Sequence, residues 1–260
     1  MKIAFIGAGN IASAIIGGIV KEGSVKKEDI LIYDVNKNVY EKYKNDGMSL
    51  MDSFSDALLA DIIFLTVKPQ FYNDVLSDMK DIKNKVIVTV APGITIKRVK
   101  EYLDYSNKII RTMPNTPLMV GEGMTVMAKD ENVSDEEFNF VKSLFEKSGK
   151  VQIIKEELID ATIAVASSSP AYIYMLIETL ADGGVLNGLT RDSAIKMAAQ
   201  AVLGSAKMVL ETGIHPGELK DMVCSPNGTT ICAVKELEDK NFRGTLLSAM
   251  DKCYKRTKEM

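Results

Sequence analysis

Through about residue 155 the hydrophobic positions come as short, nearly continuous runs separated by stretches with helical spacing. Beyond that point the runs stop and only the helical spacing remains. Continuous apolar runs of four to eight residues read as strands buried on both faces of a parallel sheet. The first is Ile3-Ala4-Phe5-Ile6, preceded by Lys2. Further strands are predicted at 30–33, 61–67, 85–90, 108–110 and 151–154, with an edge strand at 123–128. A short helix is predicted at 56–59, and a longer one from Thr95 to Leu103 with Ile96 and Val99 on its apolar face. Ser134-Asp135-Glu136-Glu137 is a capping box that opens an amphipathic helix with Phe138, Val141, Leu144 and Phe145 on one side. Two prolines and an asparagine make 111–117 an ordered, non-helical loop. Strand alternating with helix predicts an α/β fold built on a doubly wound, mainly parallel sheet.

From Glu157 onward the pattern is helical. Residues 158–165 are apolar, and Ser167-Ser168-Ser169-Pro170 predicts a kink or break. The stretch 171–186 is apolar on most sides, with Glu178 and Asp182 on one stripe. A helix apolar nearly all round must be buried, and the hundred or so remaining residues are few for that, so association with a second subunit is expected. Thr190 caps a helix to Leu210, Pro216 starts another, 225–230 precedes a third, and 242–258 is the last. The division predicted is 1–155 for the sheet domain and 156–260 for an all-helical domain.

A net charge of -3 with scattered Lys and Arg gives no basic field for nucleic acid. The first hydrophobic run is a strand rather than a signal peptide. The Ser-Pro interruption, flanked by Asp160 and Glu178, argues against a membrane span at 161–177. Three cysteines without zinc spacing read as reduced thiols in a cytoplasmic protein, and His215 as the single histidine excludes a multi-histidine metal site. No metal is expected.

The first strand stops at Gly7-Ala8-Gly9-Asn10-Ile11-Ala12 and a helix pattern follows. That is the G-x-G-x-x-G/A dinucleotide fingerprint in its strand–turn–helix context, and it makes the first domain Rossmann-type. Ile6, Gly7, Ala8, Gly9, Asn10 and Ile11 are therefore cofactor-binding candidates. The helix N-terminus offers unpaired N–H groups to a pyrophosphate. Asp34, ending the second strand, is placed to bond the adenosine ribose and favours NADH over NADPH. Asn36, Lys37 and Lys44 lie near enough to hold a phosphate instead, and Asp34 also reads as a plain helix cap. Thr66, Val67, Lys68 and Pro69 end the next strand, where a ligand groove is expected.

A nicotinamide domain joined to a helical one suggests hydride transfer to or from a small molecule. A carbonyl or hydroxyl substrate needs a general acid or base, commonly His or Lys. Between Lys155 and Arg191 there is no Lys, Arg or His, and His215 reads more simply as a helix start. A C=N substrate changes the requirement, because an imine arrives protonated. Its site needs an anion holder and a polar group near the nitrogen. Ser225, Asn227, Gly228, Thr229 and Thr230 offer backbone N–H groups at a helix N-terminus and two hydroxyls. The same residues also read as an Asn-Gly surface turn.

Six stretches together resemble the pyrroline-5-carboxylate reductase family: IGAGNIA (6–12), DIIFLTVKPQ (61–70), RTMPNTP (111–117), ASSSPAYIYMLIETLADGG (166–184), HPGELKDMVCSPNGTT (215–230) and FRGTLLSAM (242–250). The resemblance implies reduction of 1-pyrroline-5-carboxylate to L-proline with NADPH or NADH. It also implies a helical half that interlocks with a second subunit into a homodimer able to assemble further, and an active site between the domains. By motif position it implies cofactor contacts from 6–12 and 66–69, Asn115 near the nicotinamide groove, the substrate carboxylate on 225–230, and Thr230 as the hydroxyl beside the imine nitrogen. The chain departs from the family at Ser168 and Asn227, where glycine is usual, and at Ser53, where an adenosine-end asparagine is often found. Two other readings are a β-hydroxyacid dehydrogenase-like oxidoreductase, which should carry a lysine in the basic-free span 156–190, and a non-catalytic nucleotide-binding paralogue.

Overall fold

A computed structural model describes residues 1–23 and 25–259. By packing, the chain divides into one unit of Met1–Ser168 with the tail from Cys253 onward, and a second of Ser169–Lys252.

The first unit is built on eight strands: β1 (Ile3–Ile6), β2 (Ile30–Tyr33), β3 (Ser49–Leu50), β4 (Ile62–Leu65), β5 (Val86–Thr89), β6 (Lys108–Pro114), β7 (Gly123–Lys129) and β8 (Gly149–Ile153). Their order in the sheet is β3-β2-β1-β4-β5-β6-β7-β8. All pairs are parallel except β6 with β7. The apolar runs are buried on both faces because alternate side chains feed different cores. Ile3, Phe5, Ile30, Ile32, Phe64 and Val88 pack with α1 (Asn10–Glu22) and with α5 (Asp135–Glu146). Ala4, Ile6, Ile63, Leu65, Ile87 and Ile109 face the other layer, formed by α3 (Tyr72–Asp78) and α4 (Ile96–Lys100). A further short helix, α2 (Tyr40–Asn45), follows β2. The doubly wound, mainly parallel sheet expected from the pattern is the one observed, and the Ser134 capping box is formed.

Several expectations need correction. Residues 111–114 are strand, not loop: β6 continues to Pro114, opposite Thr125 of β7. Pro114 is tolerated because it is the last residue of the strand. β7 is not the edge strand, since β8 pairs beyond it from Gly123↔Gly149 to Met127↔Ile153. The link from Pro114 to Gly123 is a single 3-10 turn at Thr116–Val120. That is too short for a parallel crossover, so β7 must run antiparallel. The two-residue β3 had no apolar run to announce it.

The kink or break expected at 167–170 is present: the short α6 (Ile159–Thr162) passes into a π-turn over Ile163–Ser167, a bend follows at Ser168, and α7 (Ser169–Leu186) starts after it with Pro170 in its first turn. Pro170 at that place loses no helical hydrogen bond. Ile159 and Ile163 pack with Met113, Val126 and Ala128, so the segment just past residue 155 belongs to the sheet unit's packing.

The second unit is helical: α7, α8 (Arg191–Thr212), α9 (Pro216–Met222), α10 (Thr229–Asp239) and the first part of α11 (Phe242–Lys258). Among its described residues only Ala181, Ala194 and Ala198 are buried hydrophobics, while Tyr174 is 60% and Met175 66% exposed. By length and composition the stretch Glu156–Leu186 could cross a membrane, yet only 11% of its 18-residue apolar window is buried within the chain. Apolar helix surface on this scale marks an association face.

Candidate active site

The turn after β1 is shaped by one residue. Gly7 has φ +99°, and a Cβ there would stand 2.9 Å from the carbonyl carbon of Thr66 and from the nitrogen of Val67. Only glycine fits. The turn is fastened to its neighbours: the Gly7 N–H donates to the Tyr33 carbonyl (2.8 Å), and Thr66 Oγ1 donates to the carbonyls of Ile6 (3.0 Å) and Gly7 (2.6 Å). Gly9 caps α1 without a side chain, and nothing lies within 4 Å of where its Cβ would be. The first N–H groups of α1 therefore open onto a bare surface, which is the cradle a pyrophosphate needs.

A cavity of about 720 Å³ lies beside this turn, lined by Ile6, Gly7, Gly9, Asp34, Thr66, Val67 and Lys68 among the candidates. Ala8, Asn10, Ile11, Ser53, Pro69 and Asn115 are not among its lining residues. Asp34 is committed within the turn: its Oδ2 accepts from the Ala8 N–H (2.7 Å) and its Oδ1 from the Asn36 N–H (2.8 Å). It thus caps and braces the loop while lining the groove. Lys37 lies over the rings of Tyr33 (4.7 Å) and Tyr40 (4.3 Å) and donates to the Tyr40 hydroxyl at 2.7 Å. That hydrogen bond raises the Lys37 pKa. Besides Asp34, the groove carries Asp74 and Asp78, with Lys68 as the one cation among the described lining residues. Sequence reasoning missed the Tyr33–Phe54 ring pair (4.5 Å between centroids) on its wall. Tyr33 ends a strand and was open to inference, but Phe54 arrives on a 3-10 turn with no pattern to flag it. Ser53 precedes that turn and donates its N–H to Asp56 Oδ2 at 3.0 Å.

Asn115 is 8% exposed and spends its amide internally. Its Nδ2 donates to the Ala166 carbonyl of the π-turn (3.0 Å), and its Oδ1 accepts from the Met124 N–H (2.9 Å). Upstream on the same strand, the buried Arg111 pairs with Asp160 and, at 3.5 Å, with Glu156. Lys258 near the end of α11 donates to Asp160 Oδ2 at 2.9 Å. Burial works to raise the Asp160 pKa, but the hydrogen bond from Lys258 and the Arg111 charge outweigh it and hold it low.

In the helical unit, Ser225–Thr230 forms a tight turn closed by the Gly228 N–H to the Ser225 carbonyl (3.0 Å), and α10 starts at Thr229 with no side-chain cap. Asn227 has φ +56°, the left-handed conformation that asparagine tolerates, so its side chain replaces glycine without distorting the turn. Ser168 has an ordinary helical backbone and accepts a hydrogen bond from Cys253 Sγ at 3.3 Å. His215 caps α9, its Nδ1 accepting from the Gly217 N–H at 3.1 Å. No group of metal-ligating side chains occurs among the described residues.

Residues 156–260 match the family model for pyrroline-5-carboxylate reductase dimerisation, and residues 2–93 match one described as NADP oxidoreductase, coenzyme F420-dependent. The pyrroline-5-carboxylate reductase of Escherichia coli K12 is 44% identical over 263 residues, covering 100% of this chain and 98% of that one. The chain belongs to the pyrroline-5-carboxylate reductase family. The reductase of Glycine max is 40% identical, with 99% and 95% of the two chains covered. A solved structure of Plasmodium falciparum pyrroline carboxylate reductase with NADP bound has a TM-score of 0.92 at 32% identity and covers 100% of this chain and 97% of its own. Like other pyrroline-5-carboxylate reductases, this one carries a Rossmann-type sheet and a helical dimerisation domain, and the exposed apolar face of α7 is its counterpart in the structure.

Proposed function

We infer that the chain is an NAD(P)H-dependent reductase that converts 1-pyrroline-5-carboxylate to L-proline as a homodimer. The observation that carries this is the 44% identity that runs through both halves of the chain. The dihydronicotinamide, when bound, supplies the hydride. The chain's own residues hold the phosphates at the α1 N-terminus, take the substrate carboxylate on the N–H groups of 225–230, and keep a hydroxyl at the ring nitrogen. That hydroxyl is Thr230. The carbon of the C=N bond gains the hydride and the nitrogen keeps its proton, so the enzyme's work is positional and electrostatic. Asn115 serves as a positioning residue, because its amide ties the carbonyl of Ala166 to the N–H of Met124.

Three carboxylates against one lysine in the groove, with Lys37 engaged by Tyr33 and Tyr40, favour NADH over a cofactor bearing a 2′-phosphate. Interlocking of the helical halves, further assembly of dimers and residence in the cytosol with three free thiols complete the proposal. Oxidation of NADH and NADPH is followed at their absorbance with pyrroline-5-carboxylate and with a 2-hydroxy-acid panel. Turnover confined to the cyclic imine is expected, and its absence with both cofactors would overturn the assignment.

A further inference from the structure

We propose that Tyr72 is a positioning residue for the nicotinamide cofactor, its hydroxyl clipping together the ends of β4 and β5 at the base of a loop that lines the groove. The proposal rests on the cofactor reading given above and adds to it a residue that is not itself among the groove's lining residues.

α3 opens at Tyr72, directly after the 3-10 turn of Pro69–Phe71. The side chain is fully buried in the core on the α3 side of the sheet. Phenylalanine would fill that space equally well, so the hydroxyl is the feature that needs a reason. A tyrosine hydroxyl buried among apolar side chains requires partners. Here it donates to the Leu65 carbonyl at 2.6 Å and accepts from the Val90 N–H at 3.4 Å. Burial raises the Tyr72 pKa, so the donor keeps its proton at neutral pH.

Both partners stand at the carboxyl ends of strands. Leu65↔Thr89 is the last register pair of β4 with β5, and Ile6↔Leu65 the last of β1 with β4. The hydroxyl therefore adds a link where sheet pairing runs out. The peptide group it holds is shared with Thr66, whose N–H donates to the Ile6 carbonyl at 2.9 Å. That one peptide plane is fixed at both ends, and Thr66 Oγ1 carries the fastening on to the Gly7 carbonyl. The bond from Tyr72 back to Leu65 also closes the base of the loop 66–71, from which Thr66, Val67, Lys68 and Phe71 line the groove. Ligands of such sheets lie outside the carboxyl ends of the strands, which is where this loop sits. Without the clip, the loop and the glycine turn lose a shared fixed point, and the cofactor has to order them as it binds.

The test is Tyr72→Phe in the whole chain. Its KM for NADH should rise about three- to tenfold, the loss expected for one hydrogen bond, with kcat and the KM for pyrroline-5-carboxylate within about twofold. The NADH dissociation constant, followed by fluorescence, should rise in parallel, and the Val90 amide should exchange faster with deuterium. Leu76→Val is the packing control, since Leu76 is fully buried on the same helix and is not among the groove's lining residues. It should lower Tm comparably and leave the NADH KM within about twofold. An NADH KM unchanged in Tyr72→Phe, or raised equally in Leu76→Val, would overturn the positioning role while leaving the cofactor reading in place. A wild type that binds neither NADH nor NADPH would overturn the cofactor reading, and the proposal with it.

Discussion

The roles proposed for Thr230 and Asp34 are separable. Thr230→Val keeps the shape and removes the hydroxyl, so kcat should fall about 10²-fold while the NADH dissociation constant stays within about twofold. Unchanged turnover would remove Thr230 from the chemistry. Asp34 both lines the groove beside the glycine turn and holds the Ala8 N–H. Asp34→Ser should therefore weaken NADH binding by more than it weakens NADPH binding, shifting the ratio of kcat/KM values toward NADPH. A ratio that does not move would leave Asp34 as a brace only. At this scale much was legible: the fingerprint glycines needed only their spacing. The internal commitment of Asn115 was not, because its partners Ala166 and Met124 lie 51 and 9 residues away and share no pattern with it.

Among the elements, β6 and the π-turn after it show where pattern reading stops. The runs that became β1, β2, β4 and β5 were visible because each is buried on both faces. The extension of β6 through Pro114 was hidden by that proline and by Pro117 just beyond it, and only pairing with β7 reveals it. The ion cluster of Arg111, Asp160 and Lys258 ties β6 to α6 and to the end of α11. Asp160→Asn would leave the buried Arg111 without its main partner, a loss of about 3–5 kcal/mol, or roughly 10 °C in Tm. Because the native pKa of Asp160 lies below its unfolded value of about 3.9, its contribution is complete above that value and lost as pH falls through the native one. The Tm gap between wild type and variant should stay constant from about pH 5 to 8 and close below about pH 4. A gap unchanged in acid would mean the charge is not what holds α6.

For the molecule as a whole, the contrast between its two units governs behaviour. The sheet unit buries its own apolar residues, whereas the helical unit leaves Tyr174, Met175 and much of α8 uncovered. A charge placed on that surface should act on association before it acts on the sheet. Met175→Glu is expected to move the protein from dimer to monomer in sedimentation velocity and to abolish turnover, with the sheet's far-UV signal retained. A fully active dimer would show that this face of α7 is not the contact.

The pairing of Lys258 with Asp160 spans 98 positions of chain. At roughly 5–20 residues per second on the ribosome, about 5–20 s pass between the synthesis of the two partners. Throughout that interval the strands that hold Arg111 have been synthesised, but the lysine that shares its carboxylate has not been made. The nascent sheet must therefore wait with its acidic anchor half neutralised, and the last turns of α11 act as the latch that ends the wait.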